Sequence, residues 1–335
     1  VSDNEHDVTA LDISSEKLEG AVGHHRLNFL NQDIRDTKSL ERLVEENDVI
    51  VDLVAFANPS LYVIDPLGVF DLNFTENLKI AELCVKHQKR LVQFSTCEVY
   101  GKTIAGAMGK DPAEMPCPFQ EDESQMIMGP VNAHRWIYAC AKQLLERVLH
   151  AYGLENRLNY TIIRPFNFIG PRIDYLPSEK GGNPRVFSHF MNALLYGTPM
   201  KLVDGGKNYR AYTYIDDAVD CVVRILNNPN GVCDRQIFNI GTPENEVTIR
   251  QLAEKMREVF DEEFREEGDP LPEIVSVSAE EFYGKGYEDC DRRIPDVTKA
   301  RTLLGWKSKH DLRSTIYHTM EYFVGEFRKK QKAAK

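Results

Sequence analysis

Missing features settle the broad class first. No apolar run approaches the roughly 20 residues of a membrane span, and no secretory signal is visible. Basic residues are in deficit, with 41 Lys and Arg against 52 Asp and Glu and a formal charge of −11. So acidic a chain is expected to take neither nucleic acid nor an anionic membrane surface as its main partner. Cysteine is sparse, and its seven copies show no metal-ligand spacing. They are expected to be reduced thiols of a cytoplasmic protein that holds no metal. Repeats and low-complexity tracts are lacking too. So is any Gly-x-x-Gly-x-x-Gly, the usual phosphate-cradling turn of a dinucleotide site. What remains is ordinary globular material, 42% hydrophobic and 28% charged over 335 residues. That is enough for one large domain or two intermeshed ones.

The densest chemistry lies between Arg90 and Lys142. Leu91, Val92 and Phe94 form a short β-rich apolar run that reads as a buried strand. Ser95, Thr96, Cys97 and Glu98 follow at its C-terminal end, where open α/β sheets bind ligands. Trp136, Tyr138, Ala141, Leu144, Leu145 and Val148 then recur at helical spacing. Tyr138 and Lys142 are thus one turn apart on one helix face. A free phenol titrates near ~10, and a neighbouring ammonium is expected to lower that value toward use as a base. With 14 tyrosines, about one Tyr-x-x-x-Lys arises by chance, and Tyr138 carries the single match. A surface Tyr–Lys pair is the other reading of the spacing. The strand-end Ser-Thr before it favours catalysis.

Ser95-Thr-Cys-Glu-Val-Tyr-Gly101 followed by Tyr138-x-x-x-Lys142 resembles the extended short-chain dehydrogenase/reductases, the NAD-dependent epimerase/dehydratase family. Gly129-Pro-Val-Asn and Arg135-Trp-Ile-Tyr138 resemble its UDP-glucuronate decarboxylase group, as in the bifunctional polymyxin-resistance protein. Phe94 to Thr103 and Tyr138-Ala-Cys-Ala-Lys-Gln143 look more like the plant UDP-apiose/UDP-xylose synthases. The likeness runs from about Val8 to Phe327. It implies an α/β fold: a doubly wound parallel sheet of Rossmann type with a smaller C-terminal substrate-binding domain. The expected division is 1–165 for NAD and 166–335 mainly for the UDP-sugar, with about 207–240 returning to the first domain.

Val8 to Asp12 reads as a strand ending in an acid, which the resemblance assigns to the adenosine ribose. A glycine-rich loop is then expected about 20 residues earlier, and counting back runs off the start of the sequence. The expectation is therefore of a first strand, loop and helix before Val1. The other reading is a chain that lacks the loop and binds the dinucleotide poorly. Arg26 to Leu30 reads as a strand leading to Asp33 and Ile34, where the family contacts adenine. Asp33 could equally be a cap. Val49 to Ala55 reads as a strand covered on both faces, with Ala55 and the turn Ala57-Asn-Pro-Ser60 beside the dinucleotide. Asp52 and Asn73 read as caps or surface groups. Val69 to His87 reads as one long helix.

Tyr160 to Pro165 is another β-branched strand, and Asn167 stands where the family binds substrate through an amide. Ser178 to Pro184 is expected to be a mobile lid, and Asp216 an N-cap. The resemblance places Arg135, Arg185, Lys201, Arg210 and Tyr287 on the sugar nucleotide. A diphosphate suits bidentate guanidinium contact, although each cation alone also reads as a solvated surface charge. Tyr283-Gly-x-Gly-Tyr-x-Asp, with an arginine two residues before Pro295, matches the segment that brings an arginine over the sugar. That selects Arg293, with Arg292 as the other candidate.

The resemblance implies NAD-dependent oxidation of UDP-glucuronate at C4, then loss of CO₂. Tyr138 is the base and Lys142 its tuner; Thr96 holds the oxygen, Glu98 acts as acid–base and Arg293 holds the carboxylate. Cys97 is either a catalytic thiol or a small filler. In the synthases a second Cys partners it from the turn after the fourth strand, which here is Phe56-Ala-Asn-Pro59. Ala57 stands in that place, which counts against ring contraction to UDP-apiose. Another 4-epimerase or 4,6-dehydratase, and a non-catalytic UDP-sugar-binding protein, are the alternatives. A homodimer is expected.

Overall fold

The structure, a computed structural model, describes residues 6–18, 20–113, 118–174, 185–283 and 288–333. The expected lid at Ser178–Pro184 and Tyr287 lie outside these residues.

The chain opens with β1 (Val8–Asp12) and β2 (Leu27–Asn31), paired in parallel with each other. Helix α1 (Thr37–Glu46) begins where the Asp36 carboxylate caps the Ser39 N–H. Strand β3 (Val49–Asp52) follows; it stops three residues short of Ala55, because the Asp52 carboxylate accepts the Val54 N–H and turns the chain. Then come α2 (Pro59–Ile64), α3 (Pro66–Phe70) and α4 (Asn77–Lys86). The single helix expected over 69–87 is interrupted, because Asp71–Glu76 between α3 and α4 is a π-helix. There Asn73 donates to the Val69 carbonyl and Asn77 to that of Leu72. Such π turns concentrate at functional sites.

Strand β4 (Arg90–Phe94) leads to the Ser95–Glu98 segment, α5 spans Ile137–Leu154, and β5 is Tyr160–Pro165. Next are β6 (Phe168–Ile169), α6 (Val186–Tyr196), β7 (Met200–Val203), β8 (Tyr209–Ala211) and β9 (Thr213–Tyr214). Helix α7 (Ile215–Asn227) is entered through Tyr214 as N-cap, with Asp216 inside its first turn rather than capping it. Strands β10 (Gln236–Ile240) and β11 (Glu246–Thr248) lead to α8 (Ile249–Glu263), which opens with a Thr248/Gln251 capping box. The chain closes with β12 (Ile274–Val277), α9 (Ala279–Tyr283), β13 (Arg292–Arg293), α10 (Thr298–Leu304) and α11 (Leu312–Ala333).

The main sheet runs β10-β5-β4-β3, all parallel, as alternating strands and helices require. Neighbouring side chains on a strand face opposite sides, and the sheet is covered accordingly. Leu91 and Ile162 pack toward α1, α4 and α5. Val92, Ile163 and Phe238 pack toward α7, α10 and Trp306. Residues 215–240 thus return to the first layer, and so do Val297 to Trp306. Lys207–Arg210, by contrast, lead into the separate sheet β11-β8-β13. A second core joins α6, β7, α8 and α11 through Phe190, Met200, Met256 and Met320.

One buried ion pair fixes α5 against β5. Arg164 on β5 donates twice to Glu146 on α5, at 3.1 and 2.6 Å, and once to Tyr100 Oη at 2.8 Å. Tyr100 Oη donates in turn to Asn239 on β10. Removing one partner strands a buried charge, so Glu146→Ala is expected to cost about 3–5 kcal/mol. Urea unfolding followed by circular dichroism measures it.

Candidate active site

The C-terminal ends of β3, β4 and β5 carry the chemistry. The hydroxyl of Thr96 caps the Glu98 N–H at 3.1 Å, tightening the turn that brings Glu98 off the end of β4. Gly101 ends that turn at φ +69°, where a Cβ would strike the Ile127 carbonyl. Tyr138 enters from the first turn of α5, its ring stacked on Tyr62 with centroids 4.9 Å apart. Thr96 is a side-chain hydrogen-bond partner of its phenol. Thr96, Cys97, Tyr138 and Lys142 are all buried.

The expected Tyr–Lys electrostatics do not hold. Burial raises the Tyr138 phenol well above its ordinary value, and the Glu98 charge adds to the rise. The Lys142 ammonium is engaged elsewhere: it donates to Asn77 Oδ1 at 2.7 Å and to the carbonyls of Val54 and Phe94 at 3.4 and 3.3 Å. Burial pushes its pKa down to about 8, with Asp52 and Glu146 opposing that fall. Adjacency on a helix face puts two side chains near each other, but buried acceptors decided which one the ammonium bonds.

Next to the Ser95–Glu98 segment lies a cavity of about 560 Å³, sized for a sugar nucleotide; Glu98 reaches it, whereas Thr96, Tyr138 and Lys142 are not among the residues that line it. Glu98, Arg135, Asn167, Arg185, Lys201, Arg210 and Arg293 all line it. Its floor is a lattice of charges. Glu98 pairs with Arg135 at 2.5 Å and with Arg293 at 3.4 Å. Asp289 pairs with Arg210 at 2.6 Å, Arg293 at 2.8 Å and Arg135 at 3.5 Å. Burial works against both carboxylates, yet the guanidinium groups prevail. Arg135 and Arg293 hold Glu98 below its ordinary pKa, and Arg210, Arg293 and Arg135 hold Asp289 far below. The Cys97 thiol is pushed up by burial, which leaves it protonated and weakly nucleophilic.

The structure separates the two candidate arginines. Arg293 reaches the floor, whereas Arg292 donates twice to Glu246 at 2.6 Å on the other side of β13. Asn167, at φ +42°, donates to the Ala211 carbonyl at 2.9 Å, which holds its amide at the cavity wall. Arg185 is bound by Asp174 at 3.2 Å on the rim.

Residues suited to a dinucleotide stand at the adjoining strand ends. Asp12 presents an exposed carboxylate at the end of β1, and Leu53 and Phe56 are exposed beyond β3. Asn73 Oδ1, Ser60 Oγ and Ser95 Oγ are buried without partners beside them in the chain. Exposed apolar groups next to unsatisfied polar ones fit the ribose and nicotinamide end of NAD. Asp33 is half exposed and pairs with Arg35, and Ile34 is buried. Ala55 lies in the turn after β3.

Sequence reasoning missed Asp289, Tyr62 and Asn77. Asp289 closes the Tyr283…Asp motif, so it was visible there without a role. Tyr62 and Asn77 had no signal. Asp52 and Asn73, read as caps or surface groups, are buried at 2% and 0% exposure.

A family model described as NAD dependent epimerase/dehydratase family matches residues 1–241. The chain is 43% identical over 336 residues to UDP-D-apiose/UDP-D-xylose synthase of Oryza sativa subsp. japonica, covering 96% of this chain and 84% of that protein. It is 42% identical over 340 residues to UDP-D-apiose/UDP-D-xylose synthase 1 of Arabidopsis thaliana, covering 96% and 86%. Among solved structures, PbgP3 protein from Burkholderia pseudomallei superposes with a TM-score of 0.83 at 36% identity, covering 96% of this chain and 90% of that one.

The depressed carboxylates carry a pH signature. A carboxylate with a lowered folded pKa adds stability above its unfolded pKa and loses it as pH falls toward the folded value. Asp289→Asn is expected to cost about 3 kcal/mol at pH 7. The gap from wild type should begin to narrow as pH falls below about 4, where Asp289 protonates in the unfolded chain, and keep narrowing toward its much lower folded value. Urea unfolding at stepped pH measures both.

Proposed function

The chain belongs to the NAD dependent epimerase/dehydratase family, and from that membership we propose that it oxidises and decarboxylates UDP-glucuronate, giving UDP-4-keto-pentose and UDP-xylose. The observation that carries this reading is the charge on the cavity floor. Three guanidinium groups meet two carboxylates there, leaving one positive charge for an anionic group of the substrate. A sugar carboxylate suits that vacancy in charge and in planar, bidentate shape.

In this reading Arg185, Lys201 and Arg210 hold the diphosphate, and Asn167 and Arg135 orient the sugar. NAD⁺, when bound, supplies the hydride acceptor for C4 and brings a positive charge. Tyr138 takes the proton of the C4 hydroxyl, while Thr96 hydrogen-bonds the same oxygen. Burial and Glu98 keep the phenol protonated, so it serves as a base only when a cation offsets them. The C4 ketone places the C6 carboxylate β to a carbonyl. The C5–C6 bond then breaks, CO₂ leaves, and the electron pair moves onto the C4 oxygen, where Tyr138 and Thr96 stabilise it. Arg293 receives the sugar carboxylate and so draws away from Glu98. With one cation fewer, the Glu98 pKa rises toward the range in which it can hold a proton and deliver it to C5. Reduction of the C4 ketone, with Tyr138 giving its proton to the C4 oxygen, would yield UDP-xylose.

Ring contraction to UDP-apiose is the second reading, favoured by the names of the two plant relatives and by Cys97. Ala57 lines the cavity where the resemblance calls for a second thiol, which supports the xylose branch. We further propose a cytoplasmic homodimer that packs through the exposed Leu144 face of α5.

The test is to incubate the protein, with any sequence its gene encodes before Val1, with UDP-glucuronate and NAD⁺. CO₂ and a pentose mass are expected, and sugar NMR distinguishes xylose from apiose. Bound UDP-glucuronate without CO₂ would overturn the reading in favour of a binding protein. Arg293→Ala should lower CO₂ release at least ~100-fold and leave UDP affinity within about twofold. Arg293→Lys, which keeps the charge and loses the fork, guards against misfolding of the Ala variant.

A further inference from the structure

Behind Lys142 lies a buried carboxyl that the reaction above does not use. Asp52, the last residue of β3, is 2% exposed, and Lys142 on α5 is 1% exposed. Asp52 Oδ1 accepts the Val54 N–H at 2.9 Å, and the Val54 carbonyl accepts from Lys142 Nζ. The second Lys142 carbonyl partner, Phe94, is also held by a buried side chain, since Gln93 Nε2 donates to it at 3.3 Å. Asp52 Oδ2 and Gln93 Oε1 have no partner. A carboxylate oxygen left unsatisfied at this depth is costly unless a nearby cation compensates it.

We propose that Asp52 is a positioning residue for Lys142. Its Oδ1 fixes the turn whose carbonyl seats the ammonium, and its negative charge keeps that ammonium protonated in a fully buried place. The catalytic consequence rests on the decarboxylase reading; the link from Asp52 through Val54 to Lys142 does not.

The groups that face Lys142 are few among the described residues. From β3 comes Asp52, and from α5 come Glu146 and, one turn back, Tyr138. From α4 comes neutral Asn77, and from β4 the Phe94 carbonyl. Cys84 on α4 is pushed up to about 12 by burial and further by the Asp52 charge, so it stays uncharged. Burial lowers the Lys142 pKa and the Asp52 and Glu146 charges raise it. Reciprocally, burial raises the Asp52 pKa and Lys142 lowers it. Loss of the Asp52 charge therefore moves the Lys142 titration to lower pH.

Asp52→Asn separates charge from geometry, because its side-chain oxygen can still accept the Val54 N–H. The experiment titrates the Lys142 Cε resonance in protein labelled with ¹³Cε-lysine, assigned by its loss in Lys142→Met. Wild type is expected to titrate at about 8. Asp52→Asn should titrate about one pH unit lower. The basic limb of kcat for CO₂ release should move by the same amount, costing about tenfold in rate above it. Asp52→Ala, which also loses the turn, should show that shift and a further drop in kcat at every pH. An unchanged Lys142 midpoint in Asp52→Asn overturns the proposal. If that variant does not fold by circular dichroism, reciprocity decides. Asp52 Cγ must then titrate higher in Lys142→Met than in wild type, and equal midpoints overturn it. A shifted Lys142 midpoint in a protein that releases no CO₂ sustains the positioning role of Asp52 and overturns only the decarboxylase reading.

Discussion

Burying three arginines and two carboxylates together is the constraint on which the two halves of this molecule depend. Glu98 comes from the end of β4 and Arg135 from the turn before α5. Arg210 comes from β8, while Arg293 and Asp289 come from β13 and the segment before it. No single element supplies a neutral set. A buried ion left alone costs several kcal/mol, so the sheet layer and the second layer must meet in one register for all five to be compensated. The residual positive charge makes the floor an anion site inside an otherwise acidic protein.

Around that floor, burial governs the chemistry more than proximity does. Tyr138 and Lys142 share a helix face, yet the phenol is raised by desolvation and by Glu98, and the ammonium spends its donors on Asn77 and two carbonyls. The π turn at Asp71–Glu76 contributes here. Beside it, the Asn77 side chain donates to the Leu72 carbonyl and accepts from Lys142. The α5–β5 salt bridge of Glu146 and Arg164 anchors the same helix one turn further on. The Lys142 end of that turn is therefore held by buried polar contacts, and the Tyr138 end by stacking on Tyr62.

Local pattern was legible where one periodicity carries the information. The apolar runs Leu91–Phe94 and Tyr160–Ile163 are strands because alternate residues must face two covered sides. α5 is a helix because Ala141, Leu145 and Leu149 share a stripe. The strand-end Ser-Thr, the Tyr–Lys pair and the arginine before Pro295 were recognisable as short spacings within single elements. So were the family and the class of substrate it implies.

Other features depend on contacts between distant parts of the chain, and no local pattern encodes them. Glu98 and Arg293 are 195 residues apart in sequence, and Asp289 gained a role only when three arginines converged on it. Asp52 and Asn73 read as caps or surface groups because a single polar residue in an apolar stretch carries no sign of its partners, but tertiary packing buries both. Arg292 and Arg293 differ only by the side of β13 on which each lies, which pairing with β8 decided. By itself the sequence determined the strand–helix alternation, the motif residues and the family. Tertiary packing alone decided which buried charge faces which, because that choice belongs to the cost of desolvation and not to spacing along the chain.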